Sequence, residues 1–258
     1  MTLHYRALPD LTGVDLGPLP ATGSAPLWAL SSNVPHLRGA ALLPYGAVPT
    51  ALPLLNGNYA RVTKRVLDVV LASIALVLVA PLLALMLLAL WIESGNPFYS
   101  QNRLGMNGRR FRMYKLRTMV LGAEDQLEHH LDHDPAMRAE WNETQKLKLD
   151  PRITPLGRLL RKTSMDELPQ IFNVLKGDMS LVGPRPMLPE QVTLYRYPQA
   201  YLGVRPGITG LWQVTARNEE SFDVRAILDM RYAQRLSFKT DFKIITATFA
   251  VVLRATGY

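Results

Sequence analysis

The stretch from Val69 to Ile92 contains 24 consecutive residues without a charged side chain. A helix of this length extends about 36 Å, which is enough to cross the hydrocarbon core of a bilayer. Pro81 lies in the middle of the stretch, where it removes a backbone hydrogen bond and favours a kink. The sequence therefore predicts a membrane helix that is broken at Pro81.

Basic residues flank this segment on both sides. They are Arg61, Lys64 and Arg65 before it, and Arg103, Arg109, Arg110, Arg112, Lys115 and Arg117 after it. The positive-inside rule places both flanks in the cytoplasm. A re-entrant helix, which enters the bilayer, bends and returns, satisfies that rule. A spanning helix is the alternative, and it stays open because spanning helices also tolerate proline.

The composition narrows the partners of the chain. Its 258 residues carry a net charge of +8, which favours anionic partners such as nucleic acid, phosphorylated substrates or an anionic membrane face. The absence of cysteine excludes disulfides and thiol chemistry and fits a reducing compartment. No zinc finger, evident basic recognition helix or aromatic RNA motif supports a nucleic-acid partner, so we expect none.

The first 60 residues are rich in Pro, Gly, Ala and Leu, and prolines repeatedly interrupt them. No long helix can form there, and we expect an irregular extension without a signal peptide. The predicted organisation is an extension over 1–60, a membrane helix over 61–95 and a cytoplasmic catalytic domain over 96–258.

A basic β-hairpin is predicted after the membrane segment. Residues 98–103 and 111–116 are rich in aromatic or apolar side chains, and Asn107-Gly108 between them is typical of a hairpin turn. The cations of this hairpin suit a phosphate site or a lipid headgroup surface. A merely solvated basic hairpin is the other interpretation, and the pattern does not decide between them.

A polar helix is predicted further along the chain. His129 and His133 share one of its faces, as two zinc ligands would. No cysteine and no second matching pair completes a zinc set, so a solvated face is favoured over a metal site.

Two short helices are predicted in the next segment. Thr154 suits the N-cap of the first, and Pro155 suits its first helical position. The second is predicted to begin at a capping box from Ser164 to Glu167 and to end at Gly177.

Two adjacent acids, Asp166 and Glu167, stand in this predicted capping box close to Arg161 in the sequence. A carboxylate beside arginines stays ionised, and an ionised aspartate can attack phosphorus. Adjacent helical residues project about 100° apart, so the two acids should have different roles, one as nucleophile and the other as a magnesium ligand. Capping of the helix is the structural alternative for both.

A rigid arginine follows the second predicted helix. Arg185 is held between Pro184 and Pro186 and is suited to bidentate phosphate binding. Together with the two acids it makes this region a candidate phosphoryl-transfer site.

Four stretches closely resemble the bacterial sugar transferase family, whose members are monotopic polyprenyl-phosphate hexose-1-phosphate transferases. They are "KRVLDVVLA", "FYSQNRLGMNGRRFRMYKLRTM", "RLLRKTSMDELPQIFNVLKGDMSLVGPRP" and "VRPGITGLWQV". The resemblance runs from about Thr63 to the C-terminus. The extension has no counterpart in the shared core, and the four membrane spans that precede this core in larger members are not expected here.

The resemblance implies a reaction in which a hexose 1-phosphate, galactose or glucose, passes from a UDP-sugar to undecaprenyl phosphate. UMP leaves, an aspartyl-phosphosugar intermediate forms, and Mg²⁺ is required. This step initiates exopolysaccharide or O-antigen repeat units, so downstream glycosyltransferases are expected partners. The resemblance also implies a location at the bacterial inner membrane, with the catalytic domain on the cytoplasmic face.

The resemblance assigns roles to individual residues. Asp166 matches the nucleophile and Glu167 the magnesium ligand. The family breaks its membrane helix at a Ser-Pro pair, which here is Ala80-Pro81. The remaining positions are expected to bind substrate, and they are Arg161, Arg185, Pro184, Pro186, Lys115, Arg117, Arg205, Gln213 and Arg217.

The predicted fold class is mainly α with a small β-hairpin, in a monotopic membrane protein. Phe242, Ile245, Phe249 and Val252 share one face of a C-terminal helix, which predicts an interfacial helix or, alternatively, a buried core helix. A non-catalytic membrane-anchored scaffold, in which the acids only cap a helix, is the alternative function.

Overall fold

The structure is a computed structural model that describes residues 59–144, 147, 149–195, 198–215 and 222–253. These residues all belong to one compact unit within 51–258. The predicted irregular extension lies outside the described residues except for Tyr59 and Ala60. These two begin a short π-helix, Tyr59–Thr63, that leads directly into the first long helix.

The described residues are mainly helical, as predicted, with two small sheets. The helices are α1 (Lys64–Ser94), α2 (Ala123–His133), α3 (Pro135–Thr144), α4 (Pro155–Lys162), α5 (Gln170–Lys176), α6 (Pro198–Leu202), α7 (Leu211–Thr215), α8 (Phe222–Gln234) and α9 (Phe238–Leu253). The strands are β1 (Phe98–Leu104), β2 (Arg110–Leu116), β3 (Ser180–Val182) and β4 (Gly207–Thr209).

Helix α1 is long and apolar enough to cross a membrane, by its length and composition. Its 31 residues extend about 46 Å if straight. The helix continues through Pro81, so the predicted break is not an interruption of the helix. The re-entrant path stays a prediction.

One face of α1 packs against the rest of the domain, and the opposite face is exposed. The buried positions are Lys64, Asp68, Ala72, Leu83, Met86 and Leu90. Between Ala72 and Leu83 no side chain of the helix is fully buried. Large apolar side chains such as Val77 and Leu78 are more than 70% exposed there. A water-soluble domain rarely exposes so large an apolar surface, which therefore indicates a membrane or protein partner.

Polar contacts fix the first two turns of α1 to distant parts of the chain. Lys64 donates to Asp241 Oδ2 at 2.6 Å, where Tyr59 also donates at 2.7 Å. Arg65 donates to the carbonyl oxygens of Val174 and Leu175 at the end of α5. These basic residues were predicted as a flank that follows the positive-inside rule, and they also hold the helix to the catalytic domain.

A carboxylate completes this attachment. Asp68 is buried and accepts hydrogen bonds from the Ser180 hydroxyl and the Leu181 N–H, both at 3.0 Å. It therefore ties α1 to the start of β3.

The predicted hairpin is confirmed. Strands β1 and β2 pair in antiparallel register, from Phe98 opposite Leu116 to Leu104 opposite Arg110. Asn107 has φ 58° in the connecting turn, a left-handed conformation that asparagine tolerates better than most residues. Phe111 and Met113 of β2 are buried against α1 and α5 and so hold the hairpin on the domain.

A second sheet, the parallel pair β3 and β4, was not predicted from the sequence. Glycine permits the close approach of the two chains. A Cβ atom on Gly183 would lie 2.2 Å from the Arg205 carbonyl oxygen, and one on Gly207 would lie 2.1 Å from the Gly183 nitrogen. Both contacts are too short for any side chain, so the loop after β3 depends on these glycines.

The two predicted helices around the acids are confirmed only in part. Thr154 caps α4, because its Oγ1 accepts from the Gly157 N–H at 2.9 Å, and Gly177 ends α5 with φ 89°. The predicted capping box is wrong. Ser164 has φ 57°, and a 3₁₀ turn, Met165–Glu167, follows it, so α5 begins only at Gln170. An N-cap residue needs an extended backbone, which the left-handed Ser164 does not have.

Helix α9 exposes two of the four apolar residues predicted to share a face. Phe242 is 57% exposed and Phe249 is 66% exposed, whereas Ile245 packs partly against the core. The position of the Val252 side chain lies outside the described residues. The exposed phenylalanines favour the interfacial helix over a fully buried core helix.

Candidate active site

The two acids lie in the 3₁₀ turn Met165–Glu167, between α4 and α5. Lys115 of β2 reaches both of them. Its Nζ lies 3.4 Å from Asp166 Oδ2 and 2.8 Å from Glu167 Oε1. The two carboxylates therefore face one shared cation, although they are adjacent in the sequence. The hairpin residue Lys115 was predicted to bind substrate, and the structure brings it to the acids.

The environment of Asp166 acts on its pKa in two opposing ways. Burial raises the pKa of the carboxyl, and the neighbouring charge of Glu167 adds to this rise. Lys115 and Arg161 lower the pKa, but the net shift is upward. A buried carboxyl with a raised pKa that shares a cation with a second acid is a candidate for catalysis rather than for structural support.

Arg161 of α4 stands near Asp166 without a direct hydrogen bond to it. Its Nε donates to Thr118 Oγ1 at 2.9 Å, and its charge favours the ionised form of Asp166. Burial lowers the pKa of the Arg161 guanidinium, and Asp166 opposes that effect. Arg161, which was predicted to lie near the acids, is therefore close enough to Asp166 to influence its charge.

The loop from Pro184 to Pro186 carries Arg185 to the second acid. Arg185 Nη2 lies 3.3 Å from Glu167 Oε1, and 38% of the arginine side chain remains exposed. The backbone of the loop is held on both sides of the arginine. The Gly207 N–H donates to the Pro184 carbonyl at 2.8 Å, and Arg103 donates to the Pro186 carbonyl at 3.3 Å.

Three other described residues that were predicted to bind substrate contact backbone carbonyl groups and not the acids. Arg117 donates to the carbonyls of Asn96 and Phe98 at the open end of the hairpin. Arg205 donates to the Gly177 carbonyl at the far end of α5, and Gln213 donates to the Ile208 carbonyl. These contacts support the backbone. Arg217 lies outside the described residues.

The histidines considered as metal ligands form no metal site in the described part of the chain. The rings of His129 and His133 are 4.3 Å apart, and His133 Nδ1 lies 2.7 Å from the His129 carbonyl oxygen. No group of three or more potential ligands gathers among the described residues. His129 and His133 are both exposed, as expected for the solvated face.

A small, partly open cleft lies beside Glu167. Its lining is formed by Arg103, Met113, Glu167, Gln170, Arg185, Pro186 and Ile208. Two arginines and one carboxylate thus face a space bordered by methionine, proline and isoleucine. Such an arrangement suits an anion with several oxygen atoms, because guanidinium groups bind phosphate oxygens in a forked geometry.

Sequence reasoning missed three residues that support this cleft. Arg103 was noted only as part of a basic flank. Arg225 of α8 donates to the Arg185 carbonyl, and Asp229 lies one turn further along at 3.9 Å from Arg225 Nε. The inward position of Arg103 could have been found from the alternation of β1. The other two lie 40 or more residues from Arg185 in the sequence and carry no local signal.

The donor set also allows a test of the expected metal. Mg²⁺ binds one or two carboxylates and completes its coordination with substrate phosphates and water. Asp166 and Glu167 supply such carboxylates beside the cleft, so the residues present fit the ion. Glu167 Oε1 also contacts Lys115 and Arg185, so these two cations would compete with the ion for that oxygen.

Comparison with known proteins decides the family. The bacterial sugar transferase family matches residues 59–255, which include the hairpin, the two acids and the arginine loop. The chain belongs to the bacterial sugar transferase family. The resemblance drawn from the four sequence stretches is therefore confirmed.

Three relatives illustrate the range of this family. The chain is 43% identical over 198 residues to the undecaprenyl-phosphate galactose phosphotransferase of Salmonella typhimurium, and 42% identical over 196 residues to the exopolysaccharide production protein ExoY of Rhizobium meliloti. It is 39% identical over 213 residues to the UDP-glucose:undecaprenyl-phosphate glucose-1-phosphate transferase of Xanthomonas campestris.

The alignments cover different fractions of these three relatives. The alignments cover 75–78% of this chain. They cover 42% of the Salmonella protein and 41% of the Xanthomonas protein, so the chain spans less than half of these two relatives. They cover 87% of ExoY.

Proposed function

We propose that this sugar transferase moves a hexose 1-phosphate from a UDP-sugar to undecaprenyl phosphate, releasing UMP, and thereby initiates a polysaccharide repeat unit. The observation that carries the proposal is the pair of acids, Asp166 and Glu167, which face Lys115 and the Arg185 loop beside a cationic cleft. The names of the Salmonella and Xanthomonas relatives support the two substrates.

Asp166 is the proposed nucleophile. Its carboxylate attacks the phosphorus that bears the sugar, the bond from that phosphorus to the UMP oxygen breaks, and an aspartyl-phosphosugar forms. The phosphate of the lipid then attacks the same phosphorus and frees the carboxylate. Lys115 and Arg161 oppose the rise that burial causes in the pKa of Asp166, and so favour the ionised form that attacks phosphorus.

Glu167 and Arg185 are the proposed substrate-positioning groups. Arg185 offers a planar fork to the diphosphate from a loop whose backbone is fixed on both sides. Glu167 would hold Mg²⁺, which when bound would offset the negative charge of the diphosphate. The cations Lys115 and Arg185 already contact Glu167. Their positive charge reduces the repulsion between the two acids and the anionic substrates.

The membrane is the proposed site of this reaction, since the acceptor is a lipid phosphate. Lys64 at one end of α1 contacts Asp241, and Leu90 near the other end packs with Leu116 and Leu160. Attachment of both ends to one domain supports a helix whose ends lie on the same side of the bilayer. The exposed middle around Pro81 would then enter the lipid. We place the domain on the cytoplasmic face of the bacterial inner membrane, where UDP-sugars are made.

The direct test is turnover by the full chain in lipid nanodiscs. UDP-galactose, UDP-glucose and other UDP-sugars are supplied with undecaprenyl phosphate and Mg²⁺, and UMP release and lipid-linked sugar are measured. We expect one UDP-sugar to give both products, and radiolabelled sugar phosphate to be trapped on the protein when the lipid is omitted. A folded protein that turns over no UDP-sugar would favour the non-catalytic scaffold.

Two further experiments address the metal and the topology. Glu167→Gln should lose transfer through weaker Mg²⁺ binding, so high Mg²⁺ should rescue it and an unchanged magnesium titration would contradict the assigned role. Single cysteines near residues 60 and 105 can be labelled with an impermeant maleimide, because the chain has none of its own. Labelling of the first site from outside intact cells would show a spanning helix and overturn the re-entrant path.

A further inference from the structure

Arg103 is a partly buried cation whose charge meets no carboxylate in the described part of the chain. Its Nη1 donates to the Pro186 carbonyl at 3.3 Å and its Nη2 to the Gln101 side-chain oxygen at 2.6 Å. Both acceptors are neutral. Its Nε is buried and makes no hydrogen bond. A buried donor without a partner is unfavourable, and this guanidinium is not fully satisfied by the described residues.

Other cations stand around Arg103. Arg185 lines the same cleft, and Arg225 donates to the carbonyl of Arg185. Each of these two arginines has a carboxylate nearby, Glu167 for Arg185 and Asp229 for Arg225. Burial, Arg185 and Arg225 together lower the pKa of Arg103 to about 10. The cluster therefore contains three guanidinium groups and two carboxylates, and the uncompensated charge belongs to Arg103.

A bound anion would remove this imbalance. Buried charges are ordinarily paired, and a chain that brings an arginine into a cleft without an acid leaves room for a ligand to supply the charge. Arg103 lies on the inward side of β1, whereas Arg112 on the neighbouring strand points to solvent. The hairpin thus directs this one arginine toward the cleft while keeping Arg112 outside.

Resting on the function proposed above, we propose that Arg103 is a phosphate-binding residue of the cleft that acts beside Arg185. It would take a phosphate oxygen either from the diphosphate of the nucleotide sugar or from the lipid phosphate. The hydrogen bond from Arg103 to the Pro186 carbonyl would couple this binding to the loop that carries Arg185. A purely structural arginine, which only holds the loop, is the competing explanation.

The first experiment measures anion binding without catalysis. The full chain in nanodiscs is titrated with inorganic pyrophosphate, and the rise in its melting temperature gives the affinity. Arg103→Gln should lower this affinity about tenfold or more, as expected for the loss of a hydrogen bond between charged groups. Arg112→Gln removes the same charge from the solvent side of the hairpin and should leave the affinity unchanged. Equal affinities of the parent and a folded Arg103→Gln variant would overturn the proposal.

The second experiment identifies the source of the phosphate by steady-state kinetics. A raised KM for the UDP-sugar in Arg103→Gln would identify the diphosphate, and a raised KM for undecaprenyl phosphate would identify the lipid. In either case kcat should stay within a few-fold of the parent. A fall in kcat with both KM values unchanged would show the structural role and overturn phosphate binding.

Two controls distinguish a failure of the Arg103 proposal from a failure of the proposed function. If Arg103→Gln does not fold, Arg103→Lys replaces it, and the loss of the planar fork should still weaken pyrophosphate binding several-fold. A lysine variant that matches the parent in pyrophosphate affinity and in both KM values would overturn the proposal. A parent protein that binds pyrophosphate through Arg103 but turns over no UDP-sugar would instead contradict the proposed function alone.

Discussion

Asp166 and Asp241 are both buried aspartates that face a lysine, but their surroundings differ. Asp241 accepts from Lys64, Tyr59 and Tyr232, at distances of 2.6–2.9 Å. Among the described side chains Asp166 has one hydrogen bond, from Lys115, and it is long at 3.4 Å. Lys115 is also more exposed than Lys64, with 20% of its side chain accessible against 11%.

The difference separates a structural acid from a reactive one. Both oxygens of Asp241 already accept from protein donors, Oδ2 from Lys64 and Tyr59 and Oδ1 from Tyr232, so this carboxylate is used to hold the fold. Asp166 is buried enough for its pKa to rise, yet it keeps its hydrogen-bonding capacity for a ligand. The contacts of a buried carboxylate therefore indicate its role better than its burial does.

The largest expected effect distinguishes the two aspartates by activity. Asp166→Asn should lower transfer by about a thousandfold or more, since it removes the nucleophile while keeping the shape of the side chain. Its melting temperature should stay close to that of the parent. Initial rates of UMP release by purified protein provide the measurement, and substantial residual transfer would reject Asp166 as the attacking group.

For stability we expect the opposite order, with a larger effect from Asp241 than from Asp166. Asp241→Asn leaves Lys64 buried without a counter-charge, which costs about 3–5 kcal/mol in the free energy of unfolding. Lys239→Gln is a matched control, because Lys239 is exposed on the same helix and its loss should change little. Urea or thermal unfolding in nanodiscs measures the difference. An Asp241→Asn variant as stable as the control would show that the contacts of Asp241 do not hold α1 in place.

Asp229 is an intermediate case, and its environment predicts that the stability of the protein depends on pH. It is buried with Tyr195 at 2.6 Å and Arg225 at 3.9 Å. Burial raises its pKa to about 6, so Asp229 keeps its proton up to a higher pH in the folded protein than in the unfolded chain. Its contribution to stability is thus fully present below the ordinary pKa of 3.8 and is lost as the pH rises toward 6.

The variant Asp229→Asn stays neutral at every pH. Its stability relative to the parent should therefore increase between pH 4 and pH 7, by up to about 3 kcal/mol for a shift of roughly two units. Melting temperatures of both proteins across this range test the prediction. A constant difference would mean that Asp229 titrates at its ordinary value.

The smallest expected effect is that of Arg185→Lys, which tests how Arg185 acts at the reactive site. Arg185→Lys keeps the charge near Glu167 and loses the planar fork, so the KM for the UDP-sugar should rise about tenfold. A lysine variant with the KM of the parent would show that Arg185 acts only as a point charge.

Local patterns predicted much of this fold and site. The hairpin followed from Asn107-Gly108, α4 from Thr154-Pro155, and the grouping of Asp166, Glu167 and Arg185 from their motif together with the family resemblance. The failure at Ser164 has a local cause. A Ser-x-x-Glu pattern describes a helix start, but it does not report that the chain turns through a left-handed residue first.

The residues that were missed depend on contacts between distant parts of the chain. The role of Arg103 follows from its contact with the Pro186 carbonyl. The role of Asp241 follows from its contact with Lys64, which precedes it by 177 residues. Arg205 and Gln213 were expected at the substrate, which stays a prediction, and in the fold each donates to a backbone carbonyl. Such assignments need the packing, because side-chain chemistry alone permits both roles.

The attachment of α1 has a consequence for the order of events on the ribosome. Lys64, Arg65 and Asp68 emerge early, but their partners Asp241, Val174 and Ser180 lie 177, 109 and 112 residues later in the chain. At about 5–20 residues per second, Asp241 is made roughly 10–35 s after Lys64. With the membrane location proposed above, the apolar helix therefore reaches the bilayer before its own domain can hold it. During that interval the orientation of α1 depends on its flanking charges, and folding of the C-terminal helices fixes the result afterwards.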